Sequence, residues 1–202
     1  MRNAFAIASL LGVFAAPADA ASGAAVSARV DAPQAAHADG VATASAKVPE
    51  WFPTARTMRL TLSSGASQDS HVQIALGRKG PGGALGLSDT GVILGCDHEG
   101  RWFARCGGDR LRQRYATQAA GPAPGGVRSL AVRVRLDEQG APVSVMSLSA
   151  DGSAVAFEGL DETALLKLLD PRNWDTLKLA SRGAGASAEI RFVADGTVMI
   201  LR

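Results

Sequence analysis

The chain has 202 residues, 47% apolar side chains, 5% aromatic ones and a formal charge of +2. That is enough apolar material to build the core of one domain, while so slight a charge argues against a nucleic-acid binder or a trap for acidic substrates. With only two cysteines, a cysteine-rich scaffold is excluded.

The first residues have the form of a secretory signal. Met1-Arg2-Asn3 is a short basic start, Ala4 to Ala16 is an apolar run, and Ala18-Asp19-Ala20 places small residues where signal peptidase accepts only small ones. The run of about 13 residues is shorter than the roughly 20 that cross a bilayer. Cleavage after Ala20 is therefore expected, giving a mature chain that begins at Ala21, is periplasmic or extracellular, and has no transmembrane segment after cleavage. The alternative is an uncut N-terminal anchor. With the first cysteine at Cys96, no lipid can be attached at the cut site.

Residues 21–48 are Ala, Ser, Gly, Val and Asp without a clear period, which reads as a flexible tether. Val26, Ala28 and Val30 alternate, but nothing nearby offers them a partner. Pro49-Glu50-Trp51-Phe52-Pro53 marks the start of a folded unit spanning 49–202.

From there, period-2 alternation predicts strands. They are centred on Met58/Leu60/Leu62, Val72/Ile74/Leu76, the apolar run 92–96, Trp102/Ala104/Cys106 and Leu130/Val132/Val134/Leu136. Further strands follow at Val143/Val145, Val155/Phe157, Leu177/Leu179, Ala188/Ile190/Phe192 and Val198/Ile200. Turns are expected at Gln139-Gly140, Asp151-Gly152, Arg182-Gly183 and Asp195-Gly196. One helix is predicted after Asp161, with Leu165, Leu168 and Leu169 on one face and Pro171 closing it. The segments 130–155 and 177–198 share a strand–turn–strand pattern, which reads as two meanders. So many strands with one short helix imply an all-β, two-sheet antiparallel sandwich, jelly-roll or concanavalin-like, with an immunoglobulin-like sandwich second.

Two resemblances bear on this. Trp174-Asp175-Thr176-Leu177-Lys178-Leu179-Ala180-Ser181-Arg182-Gly183 resembles the late strand of concanavalin-like jelly-roll domains, where a Trp opens a strand and an Arg-Gly turn follows. Val72 to Arg78, with Leu94 to Asp97 and Trp102-Phe103, resembles short exported bacterial proteins of no assigned activity. In those proteins the loop after Gly-Arg is acidic, as a calcium loop would be. Here Lys79 to Ala84 lacks the acids, so neither calcium nor any other cofactor is carried over.

Candidate chemistry is sparse. Cys96 and Cys106 read as a disulfide in an oxidising compartment. A metal held by Cys96, His98 and Cys106 lacks a fourth ligand. A tight hairpin at Asp97–Gly100 opposes the disulfide, because it would set Cys106 opposite Val92. No catalytic residue is assigned. Of the histidines, only His71 and His98 lie in the folded unit, and no Gly-x-Ser-x-Gly elbow occurs. No two glutamates share a strand at even spacing, as a glycoside hydrolase on this fold needs. Arg101, Arg105, Arg110, Arg112 and Arg114 form a basic run without stacking aromatics beyond Tyr115, so nucleic acid is not expected. Trp51 and Trp174, which flank strands, are candidate sugar platforms, and Arg110 and Arg112 are candidate ligand contacts. The expectation is an exported, non-catalytic binding or envelope-associated module for a glycan (a polysaccharide) or a cell-surface component. The alternative is a polysaccharide-acting hydrolase using Glu158 and Glu189.

Overall fold

Alternation in the sequence becomes alternation in burial. In the strand Arg128–Leu136, Leu130, Val132, Val134 and Leu136 are buried, while Ala131 and Arg133 are partly exposed and Arg135 is exposed. A strand that hides every second residue must lie on a core with one face and on solvent with the other. The computed structural model describes residues 25–31, 41–64, 72–78, 91–97, 99–106, 113–117, 127–182 and 185–194. The signal segment 1–20, the loop Lys79 to Ala84, His98, the predicted turn at Asp195-Gly196 and the predicted strand at Val198/Ile200 lie outside these residues.

The strands are β1 (Ala25–Asp31), β2 (Val41–Lys47), β3 (Ala55–Ser64), β4 (Val72–Gly77), β5 (Val92–Cys96) and β6 (Trp102–Cys106). They continue with β7 (Arg114–Tyr115), β8 (Arg128–Leu136), β9 (Pro142–Ala150), β10 (Ser153–Ala154), β11 (Thr176–Arg182) and β12 (Ser187–Ala194). All pairing is antiparallel. The first sheet runs β1-β12-β3-β8-β9-β10 and the second β2-β11-β4-β5-β6-β7. The chain is therefore a two-sheet, jelly-roll sandwich with one short helix. Met58, Leu60, Leu62, Leu130 and Phe192 of the first sheet meet Ile74, Leu76, Leu94 and Leu177 of the second in one apolar core.

The tether expectation is corrected. β1 pairs with β12 from Ala25↔Val193 to Asp31↔Ser187, and β2 pairs with β11 from Val41↔Arg182 to Lys47↔Thr176. Val30 and Ala42 are buried. The partners stand at the far end of the chain, so no local signal marks them, and alanine and serine have little strand preference of their own.

Three smaller expectations change. In β9 the register shifts at Arg133/Val134 and again at Arg135/Leu136, so that Met146 and Val143 are extra residues, the inward positions beyond Met146 move to Leu148 and Ala150, and Val143 is 49% exposed. Only Ser153 and Ala154 continue into β10, and Phe157 makes a single bridge to Ala116. The second predicted meander does not form, because β11 and β12 belong to different sheets.

The helix α1 (Glu162–Leu168) matches expectation. The Asp161 carboxylate accepts from Ala164 N at 2.7 Å, and Leu165 and Leu169 are buried. The Glu162 side chain accepts from Val145 N at 2.9 Å, fastening α1 to β9.

Two hairpins share one turn chemistry. In Asp97 to Arg101, Gly100 N donates to Asp97 O, while the Asp97 carboxylate accepts from Glu99 N and Arg101 N, each at 2.9 Å. In Asp137 to Ala141, Gly140 N donates to Asp137 O, and the Asp137 carboxylate accepts from Gln139 N and Ala141 N, each at 2.8 Å. The left-handed position falls on Gly100 (φ 76) and Gly140 (φ 77), where only glycine is free of strain. A three-residue loop of this kind is a common hairpin closure.

Candidate functional site

The hairpin at Asp97 settles the cysteines. Cys96 stands opposite Trp102, and Cys106 opposite Val92. Four residues of ladder separate them, about 13 Å at roughly 3.3 Å per residue, whereas a disulfide tolerates about 7 Å between Cα atoms. The expected disulfide is therefore absent, and the local hairpin argument prevails over the argument from compartment. Burial pushes the Cys96 thiol up to about 11, so at neutral pH it is an inert protonated thiol. The Asp97 carboxylate is occupied by its turn and by Arg101 (Nε at 3.1 Å).

The tryptophans behave as packing residues. The 3-10 turn Pro171–Asn173 ends on Trp174, whose N–H donates to Pro171 O at 3.1 Å, and the side chain is 7% exposed within the core. It therefore offers no open ring face to a sugar. Trp51 is half-buried against the core and lies over Gly140, where an added Cβ would stand 2.8 Å from its ring. Both indole N–H groups are shielded from solvent without a hydrogen-bond partner. Arg110 and Arg112 lie outside the described residues. Glu158 sits in the turn after Phe157 and donates its N–H to Tyr115 O beside the second sheet, whereas Glu189 is on β12 of the first. The two glutamates thus stand on different elements, one in a turn beside the edge of the second sheet and one on a strand of the first, and do not share a strand.

Two arrangements were not foreseen from the sequence. The first is a buried polar cluster joining the sheets at one end. Asp151 and Gly152 take φ of 51 and 82 in a two-residue turn between β9 and β10. There the Asp151 carboxylate, 3% exposed, accepts from Trp102 Nε1 (3.0 Å), Arg128 Nη2 (2.9 Å), Arg128 Nε (3.1 Å) and Ser129 N (2.9 Å). Arg128 also donates to Gly100 O at 2.6 Å and lies over the Trp102 ring at 5.6 Å. Every charge here is spent within the protein, so the cluster is a structural clasp.

The second arrangement is the contrast between the two outer faces. On the second sheet, Ala75, Ile93 and Phe103 form a small apolar cluster, all buried, with Tyr115 edge-on to Phe103 at 6.5 Å and Arg101 over the Tyr115 ring at 4.2 Å. Gly95 makes room for Phe103, whose ring a Cβ would meet at 2.9 Å. On the first sheet the outer positions are mostly polar and at least partly exposed across its long strands, the exceptions being the buried Thr57, the apolar Ala25, Val193 and Ala131, and Val143 and Met146, which are exposed on β9. The polar positions include Ser27, Arg29, Thr61, Ser63, Arg135, Ser147, Glu189 and Arg191. This broad hydrogen-bonding surface is the candidate binding face. Its signal in the sequence was the polar half of each alternation, including Arg133 and Arg135. Which polar residues would lie side by side depends on strand order.

No protein-family model matches the chain, and no curated protein does. Among solved structures, a tetrameric galectin from Cinachyrella sp. (ball sponge) is 14% identical, covers 76% of this chain and 99% of its own, and has a TM-score of 0.39. The winged bean acidic lectin complexed with methyl-alpha-D-galactose is 11% identical over 85% of this chain and 100% of its own, with a TM-score of 0.43. An exo-inulinase from Aspergillus awamori is 18% identical over 85% of this chain but 29% of its own, with a TM-score of 0.42. At these values the likeness is one of general architecture, and it carries no ligand or activity to this chain.

Proposed function

We propose that this protein is an exported, non-catalytic binding module, periplasmic or extracellular, that holds a glycan or a cell-surface partner on the outer face of its first sheet. The observation that carries the reading is that face itself. Serine, threonine and arginine donors are spread over five adjacent strands, β1, β12, β3, β8 and β9, without an apolar cover. A sheet of this kind presents hydrogen-bonding groups at fixed spacings, which suits the repeated hydroxyls of a polysaccharide. The placement of Glu158 in a turn beside the second sheet and of Glu189 on β12 of the first also supports binding over hydrolysis, since glycoside hydrolysis uses a pair of carboxylates flanking one bond.

The test is affinity electrophoresis of the mature chain through gels containing neutral and acidic polysaccharides, with a reducing-sugar assay on the same material. Retardation without release of reducing ends is expected. Polysaccharide turnover lost in Glu158→Gln or Glu189→Gln would establish an enzyme instead. N-terminal sequencing of secreted protein should begin at Ala21, and a secreted product still starting at Met1 would contradict the signal reading.

A further inference from the structure

Across the outer face of the first sheet, at right angles to the strands, the register places Ser27, Arg191, Arg59, Arg133 and Ser147 in a single line. Arg191 is directly opposite Arg59, and Arg59 directly opposite Arg133. Like charges in directly opposed pairs destabilise a sheet, and strand spacing of about 4.8 Å sets the outer two backbones of the arginine row only about 10 Å apart. One row along, signs alternate as a merely soluble surface would have them: Arg29 faces Glu189 and also clamps Asp31 at 2.9 Å.

Among the described residues, neither Arg133 nor Arg191 has an ion-pair partner, and nor does Arg135, two positions along β8. Arg133 Nε is shielded from solvent with no hydrogen-bond partner, an orphan donor that an arriving acceptor would satisfy. Arg59, in the middle, has an interaction of its own.

We infer that the row binds an acidic polysaccharide, with its oxyanion groups seated across β12, β3 and β8. Guanidinium groups pair with carboxylate and sulfate in a planar, two-pronged fashion. The serines at the ends of the row offer hydroxyls to the uncharged parts of such a chain. Single-stranded nucleic acid carries the same charge but uses aromatic platforms. The positions flanking the row are Arg29, Glu189, Thr61, Ala131 and Ser149 on one side, and Ala25, Val193, Thr57, Arg135 and Ser144 on the other. None of these is aromatic. The inference rests on the binding-module reading and specifies its ligand.

The experiment is affinity electrophoresis of the full mature chain in gels carrying alginate, dextran sulfate, neutral dextran or single-stranded DNA. Retardation is expected in alginate or dextran sulfate, falling with added salt, and none in neutral dextran. The alginate and sulfate arms separate carboxylate from sulfate recognition. Arg133→Gln and Arg191→Gln should each weaken retention several-fold and the double variant at least tenfold, with Arg172→Gln, off this face, as the unaffected control. The urea midpoint of the double variant should hold, whereas a structural role would lower it. Retention of neutral dextran alone, or undiminished binding by the double variant, overturns the arginine row and leaves the module reading standing. Retention only by DNA reassigns the face to nucleic acid. No retention by any polysaccharide removes both readings.

Discussion

Asp151 is the residue on which one end of the sandwich depends. Its carboxylate serves an indole 49 positions away and a guanidinium 23 positions away. Removing one member of a buried charged pair leaves the other uncompensated, at a cost of about 3–5 kcal/mol. Asp151→Asn keeps the backbone, since asparagine tolerates the left-handed conformation. The variant should therefore lose about 3 kcal/mol of unfolding free energy in urea, and a loss under about 1 kcal/mol would show that the clasp is dispensable. Cys96 makes a second, pH-dependent prediction. A thiol whose pKa is raised in the folded state stabilises the fold fully below its unfolded pKa, near 9, and loses that contribution as pH climbs toward about 11. Iodoacetamide should spare Cys96 in the native protein at pH 8 and modify it only once the protein is unfolded or strongly alkaline. The Asp-Gly turn at 151–152 was legible in the sequence, but the work of its carboxylate was not, because Trp102 and Arg128 reach it only after the sheets pack.

Elements were legible where a strand had a clear inner and outer face. β8 alternates without interruption, and the large apolar core residues of β3, β8 and β12 are those the alternation names. The failures share a cause. β1 and β2 rest on partners more than 100 residues away, β9 changes parity at a bulge, and Trp174 is turned into the core by the 3-10 turn before it. Each depends on tertiary pairing rather than on neighbours in sequence. β1 is also the outer strand of the first sheet beside β12. A chain beginning at residue 32 should lose at least about 2 kcal/mol through the missing Val30 contact alone. It should also self-associate through the bared β12 edge, which light scattering would reveal. A monomer of unchanged stability would mean that β1 adds nothing to the fold.

At the scale of the whole molecule, net charge is a poor guide to this protein. A balance of +2 pointed away from acidic partners, yet strand order gathers Arg191, Arg59 and Arg133 into one line while acids are spent elsewhere, Asp137 in a turn and Asp151 in the clasp. Only pairing between residues 74 and 132 positions apart in the chain could have revealed that line. The same strand order governs time as well as place. β1 and β2 attach only to β12 and β11, and those two also sit beside β3 and β4. β1 and β2 must therefore wait for β12 and β11, and neither sheet can close until those later strands have left the ribosome. Pairings so distant in sequence make folding slow, in the millisecond-to-second range. If the chain leaves the cytoplasm as proposed, that delay would keep the polypeptide threadable during the crossing.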